Sequence, residues 1–174
     1  MLRELTMLKD IFFILVLLVV FPDLRAQSDS FQKPVTDSVE IVKALMRKTG
    51  SVTSYATGYA GIQSRQFQRF VYLVDHLNPE HFLEITRDTS TCLRIYAYAG
   101  LTYCRYKKIS LIKQQFKNDS TLIPFMTGCV GGNRRASEIV FKLQQWYSKK
   151  AVEFTLREQT RDRTFWYSNY VFRD

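Results

Sequence analysis

The side chains best suited to nucleophilic, redox or metal chemistry are three cysteines, Cys92, Cys104 and Cys129, and two histidines, His76 and His81. A thiolate beside an imidazole can attack an acyl carbon or exchange a disulfide. The spacing supports neither reaction. His76 and His81 stand five apart with Asn78-Pro79 between them, so they miss the i,i+4 alignment of a helix face. A zinc site would also need further ligands. No local signature surrounds any cysteine. Glu80 and Glu84 form an i,i+4 pair, a pattern shared by acid/base pairs and by ordinary solvated helix faces. Gly128, Gly131 and Gly132 lack the lysine-serine ending of a phosphate loop. The expectation is therefore a protein without catalytic activity, metal or cofactor. A small cysteine-dependent hydrolase or redox enzyme using Cys104 or Cys129 is the alternative.

Binding is the stronger expectation. The chain carries 25 lysines and arginines against 16 acidic residues, a formal charge of +9. Such a surface favours anionic partners. No basic-aromatic motif of the RNA-binding kind occurs, so the expected partner is a protein or an anionic envelope component, with no nucleic acid. Arg65, Arg69 and Arg105 are candidate contacts, joined by Tyr55 and Tyr59 in YATGYAG, a segment with more aromatics than a plain loop needs. Arg94 is a weaker candidate because a structural role competes for it.

The N-terminus reads as an export signal. Arg3 and Lys9 precede an unbroken apolar run, Ile11 to Phe21, and a small residue, Ala26, follows. The run spans about 16 Å as a helix, roughly half a bilayer's hydrocarbon core. Cleavage near Ala26 is expected, giving a periplasmic or secreted protein. A retained segment would make it a signal-anchored membrane helper. Residues 1–26 hold three basic and three acidic side chains, so the mature chain keeps +9.

The rest supplies the elements that must position these groups. Residues 27–36 read as a flexible lead-in, and 37–174 as one domain. Asp37 with Glu40 forms a capping box before Val39, Val42, Leu45 and Met46 at helical spacing. Residues 51–64 read as a loop and Ser64 as the next cap. Phe67 to Leu77 is amphipathic. Asn78-Pro79 stops one helix and starts another. Further helices are expected from Ile109 to Phe116 and from Ala136 to about Gln159, with Gly131-Gly132 ending an apolar segment that begins at Leu122. The last twelve residues, RTFWYSNYVFRD, read equally as strand, edge segment or packed tail.

At the centre lies CLRIYAYAGLTYC, residues 92–104. Its apolar positions are too dense for a single stripe, which predicts a buried helix. Ala97 and Gly100 share one face. A glycine inside a helix costs about 1 kcal/mol relative to alanine, and close approach of a neighbouring helix would offset it. Arg94 can reach carbonyls or a carboxylate such as Asp88. Alternation of Ile95, Ala97 and Ala99 against Tyr96 and Tyr98 is the rival strand reading. On a helix Cys92 and Cys104 lie about 18 Å apart, so a disulfide would have to involve Cys129.

Residues 81–101 and 110–130 follow a common plan. Each has an apolar segment, a break containing Asp88 or Asp119, and a second apolar segment ending near a glycine, with the aspartates 31 positions apart. The first unit resembles a HEAT repeat, whose second helix carries aspartate, then valine-arginine, then alanine-x-x-alanine-leucine. Asp88, Leu93, Arg94, Ala97, Gly100 and Leu101 stand in those places. The TGYAGIQSRQF segment, residues 57–67, resembles small exported proteins of the Bacteroidetes type, a likeness that implies no activity. The HEAT resemblance implies an all-α fold of antiparallel helical hairpins, a short superhelix with a divergent C-terminal segment, acting as a binding or scaffold protein. In that frame Asp88, Arg94, Ala97, Gly100 and Leu101 are structural.

Overall fold

The computed structural model describes residues 23–143 and 147–173. The expected signal lies outside them as far as residue 22. The chain forms two compact units, Met1–Ser38 and Val39–Asp174. In the first, the described residues are helical. Helix α1 (Asp23–Thr49) begins there and runs on as the first element of the second unit. Helix thus covers residues 27–36, and Asp37 stands inside it. Once Val39, Val42 and Met46 anchor the C-terminal half in the core, extending the helix backwards needs no new nucleus. No helix among the described residues is long and apolar enough to cross a membrane.

The second unit mixes helices with a four-stranded sheet, which overturns the all-α expectation. Strands β1 (Val52–Thr57) and β2 (Ile62–Gln63) form an antiparallel hairpin. Four helices follow: α2 (Arg65–His76), α3 (Pro79–Ile85), α4 (Thr91–Tyr103) and α5 (Ile109–Gln115). The chain then returns as β3 (Leu122–Gly128), parallel to β1, and turns into β4 (Val130–Arg135), antiparallel to β3. The sheet order is β2-β1-β3-β4. Helices α6 (Ala136–Phe141), α7 (Lys149–Arg161) and α8 (Arg163–Trp166) and a π-turn, Tyr167–Val171, complete the chain.

The strands lie where the sequence suggested loop and helix. Residues 51–64 are rich in small side chains, yet Val52 and Ser54 point inward and the chain turns at Gly58 and Gly61, both at positive φ. In β3, Ile123 and Phe125 are buried while Leu122, Pro124 and Met126 face out. Pro124 sits ahead of the first β1 pair, Val52 with Phe125, near the strand start where a missing N–H is best tolerated. The second half of the supposed second repeat is therefore a strand. Gly131-Gly132 lies within β4 instead of ending the apolar segment.

Helix α4 is the buried rod. From Cys92 to Leu101 only Arg94 escapes burial, and Ser90 caps the start by accepting from the Leu93 N–H. Ala97 is inaccessible to solvent. Gly100 faces Phe82 of α3 so closely that a Cβ there would stand 2.5 Å from the ring. Buried Tyr96 links the rod to the sheet, and partly buried Tyr147 joins it at the same strand residue. The Tyr96 hydroxyl accepts from the Thr53 N–H at 3.0 Å, and the Tyr147 hydroxyl donates to the Thr53 carbonyl at 3.1 Å. Thr53 lies where the β1–β3 register shifts, and these hydroxyls occupy the main-chain groups the irregular ladder leaves over.

Both pseudo-repeat aspartates brace the chain in the same way. Asp88 accepts from the Ser90 N–H at 2.8 Å, and Asp119 from the Thr121 N–H at 3.0 Å. Each also holds an arginine: Arg47 on Asp88 at 2.7 Å and Arg94 on Asp119 at 3.0 Å. Arg94 reaches Asp88 only through its main-chain carbonyl, at 3.1 Å. Burial alone would push both carboxyls up. Hydrogen bonds outweigh it and hold both below the ordinary aspartate value: from Arg47 and the Ser90 N–H at Asp88, and from the Thr121 hydroxyl and N–H and then Arg94 at Asp119.

Candidate functional site

The reactive side chains are dispersed. Cys92 is buried, its thiol donating to the Ser51 carbonyl at 3.1 Å, and burial pushes its pKa up to about 12. Burial also raises Cys104, half-covered at the end of α4. Cys129 is exposed on the β3–β4 turn. His76 donates from Nδ1 to the Tyr72 carbonyl at 2.9 Å and stacks on that ring. His81 lies in the first turn of α3, where its N–H is capped by Asn78. Among the described residues no hydrogen bond joins a thiol to an imidazole, and no cluster of three His, Cys, Asp or Glu side chains could hold a metal ion.

The five sequence-derived contact residues have different fates. Arg69 is 2% exposed. Its guanidinium donates to the Val171 carbonyl at 3.1 Å, the Arg173 carbonyl at 2.5 Å and the Thr49 hydroxyl at 3.0 Å. It fastens the C-terminal segment to α2 and cannot meet a partner. Arg65, one turn earlier, is exposed. Tyr55 is half-buried against Phe67 and Phe154, its hydroxyl accepting from Gln63 at 2.9 Å. Tyr59 is fully exposed at the β1–β2 turn.

Arg105 is exposed at the end of α4, with φ of 55°. The Tyr106 N–H bonds the Leu101 carbonyl and the Arg105 N–H the Thr102 carbonyl, at 3.0 and 3.1 Å. This is a Schellman ending, whose left-handed position usually holds glycine. An arginine there costs about 1 kcal/mol. Arg105 and Lys149 are among the residues lining a small cleft of about 110 Å³ walled by Phe70, Ala99, Leu143, Tyr147 and Val152.

A second feature went unread in the sequence. The Gly58 N–H donates to the Gly128 carbonyl at 2.8 Å, and the Cys129 thiol reaches the Gly58 carbonyl. The two hairpin turns are thereby held side by side. Tyr59 lies in one turn with Ile62 just after it at the start of β2; Val130, 59% exposed, follows the other turn at the start of β4. Along β3, Leu122 and Met126 are 61% and 40% exposed. Their cross-strand neighbours on β4 are Arg135 and Gly131. Gly131 leaves no side chain over Met126, and the φ of 148° at Gly132 suits glycine alone. β4 is the last strand of the sheet, and among the described residues no strand lies beyond it.

The chain matches no family model, no curated protein and no solved structure. The site must therefore be read from its own chemistry. An exposed apolar row beside an unpaired strand edge is a surface suited to another chain. From Ser120 to Arg135 there is no acidic side chain, while Arg134 and Arg135 end the strand, so the surface is apolar with a positive border.

Proposed function

We propose that the protein is an exported binding module, without catalytic activity, whose partner is a protein carrying an extended acidic segment. The observation that carries this reading is the β3–β4 hairpin: Leu122 and Met126 exposed on one face of β3, next to the open edge of β4. An extended segment laid along β4 would satisfy the free main-chain groups of that edge, as in strand addition. The apolar row would bury against its side chains, and Arg134 and Arg135 would select negative charge. Export rests on the basic and apolar N-terminus.

The variant Leu122→Asp/Met126→Asp tests this. Both side chains are solvent-facing, so the fold should melt at the wild-type temperature. Retention of the partner from envelope extract should fall more than tenfold, the scale of losing buried apolar anchors and adding like charge to an acidic contact. Retention should also weaken as salt is raised, because screening shortens the reach of the arginines. A variant that captures the same proteins as wild type contradicts the reading.

A further inference from the structure

From a different part of the molecule, and independently of the hairpin, we infer that the cleft between α4 and α7 binds a small organic anion: a carboxylate with a short apolar tail, its headgroup on Arg105. Tyr103 lines the cleft as well, and two of the cleft's hydroxyls are engaged elsewhere. The Tyr147 hydroxyl is turned to the Thr53 carbonyl, leaving the ring as a wall. The Thr102 hydroxyl donates to the Tyr98 carbonyl at 2.9 Å. Of the two cations in the lining, Lys149 is paired with Glu153 at 3.4 Å. Among the described residues no hydrogen bond or ion pair engages the Arg105 side chain. An unengaged arginine on the lining of a largely apolar recess is complementary to a carboxylate attached to hydrocarbon.

Size narrows the class. The recess, about 110 Å³, is smaller than the roughly 150 Å³ cavity that accepts benzene. It takes a short alkyl chain in full, or an aromatic ring in part, and no long acyl chain. Backbone geometry gives a second, independent reason. Glycine would close α4 more cheaply than arginine does at φ of 55°. The strain is the kind that accumulates at ligand-binding positions, and the Arg105 side chain is what glycine could not supply.

The test is NMR titration of the full chain with hexanoate, benzoate and hexylamine, on wild type, Arg105→Gly and Arg105→Ala. Hexanoate should shift resonances of Ala99, Leu143 and Val152, and hexylamine should not. Arg105→Gly should bind hexanoate at least tenfold more weakly, the scale of losing one charge-assisted contact. At the same time it should melt about 2–4 °C higher, because the left-handed position is relieved. Arg105→Ala should lose the binding with no such gain, which separates the missing charge from the changed backbone. The inference is overturned if wild type binds no carboxylate at millimolar concentration, if hexylamine binds equally well, or if both variants bind hexanoate like wild type. Failure here leaves the hairpin reading untouched, since none of these residues lies on β3 or β4.

Discussion

Replacing Gly100 by alanine is expected to destabilise the protein by about 2 kcal/mol, against the usual direction for glycine within a helix. At an open helical site the change gains up to about 1 kcal/mol. Here the new Cβ would stand 2.5, 2.6 and 2.7 Å from Cε1, Cζ and Cδ1 of Phe82. Phe82 is fully buried, so its ring cannot swing into solvent. Overpacking of this kind costs about 1–3 kcal/mol, and valine should cost more than alanine. Phe82→Leu alone also destabilises, by leaving a void. The double variant Gly100→Ala/Phe82→Leu should lose less than the two single losses combined, because the smaller side chain admits the methyl. Urea unfolding of the four proteins checks this. A Gly100→Ala variant more stable than wild type would mean that α3 and α4 do not meet as described.

A comparable loss, about 3 kcal/mol or more, is expected for Arg69→Met. The substitution keeps most of the aliphatic stem and removes the fork. It strands the carbonyls of Val171 and Arg173, the Thr49 hydroxyl and the Gln66 side-chain oxygen, all now within 3.2 Å of guanidinium nitrogens. The Val171 carbonyl and the Gln66 oxygen are the buried ones, and an unsatisfied buried acceptor costs about 1–3 kcal/mol before the structure relaxes. Lysine should rescue little, because one ammonium cannot address groups arranged for a planar fork. The loss should be local first. Residues 163–173 should become sensitive to chymotrypsin, whose aromatic targets there include Phe165, Trp166 and Tyr167, while α4 stays protected. If the tail remains resistant in Arg69→Met, the anchoring role is wrong.

These two sites also show what the sequence made legible. Gly100 could be read from its neighbours alone, because a glycine in a dense apolar helix implies close approach. Ser64 and Asn78 were legible for the same local reason: each caps a helix by accepting from an N–H three residues on, Phe67 and His81. Arg69 was not. It differs from Arg65 by one helical turn, and what buries it is a carbonyl 102 positions away. The strands were obscured by their own chemistry. β3 alternates, but its outward residues Leu122 and Met126 are apolar like its inward ones, so the period of two vanished into an apolar run. The property that hid the strand is the one that marks it as a contact surface. In the HEAT-like comparison, the aspartate braces recur at Asp88 and Asp119, yet a helix follows the first and a strand the second. Short turns repeat; the elements they introduce do not.

The hairpin surface is tested most directly by amide hydrogen exchange of the protein alone and in complex with the partner it retains. Strand addition predicts that alternate amides between Val130 and Arg135 slow by at least tenfold in the complex, with the α4 amides unchanged. Unaltered exchange along β4 in a saturated complex would contradict the account.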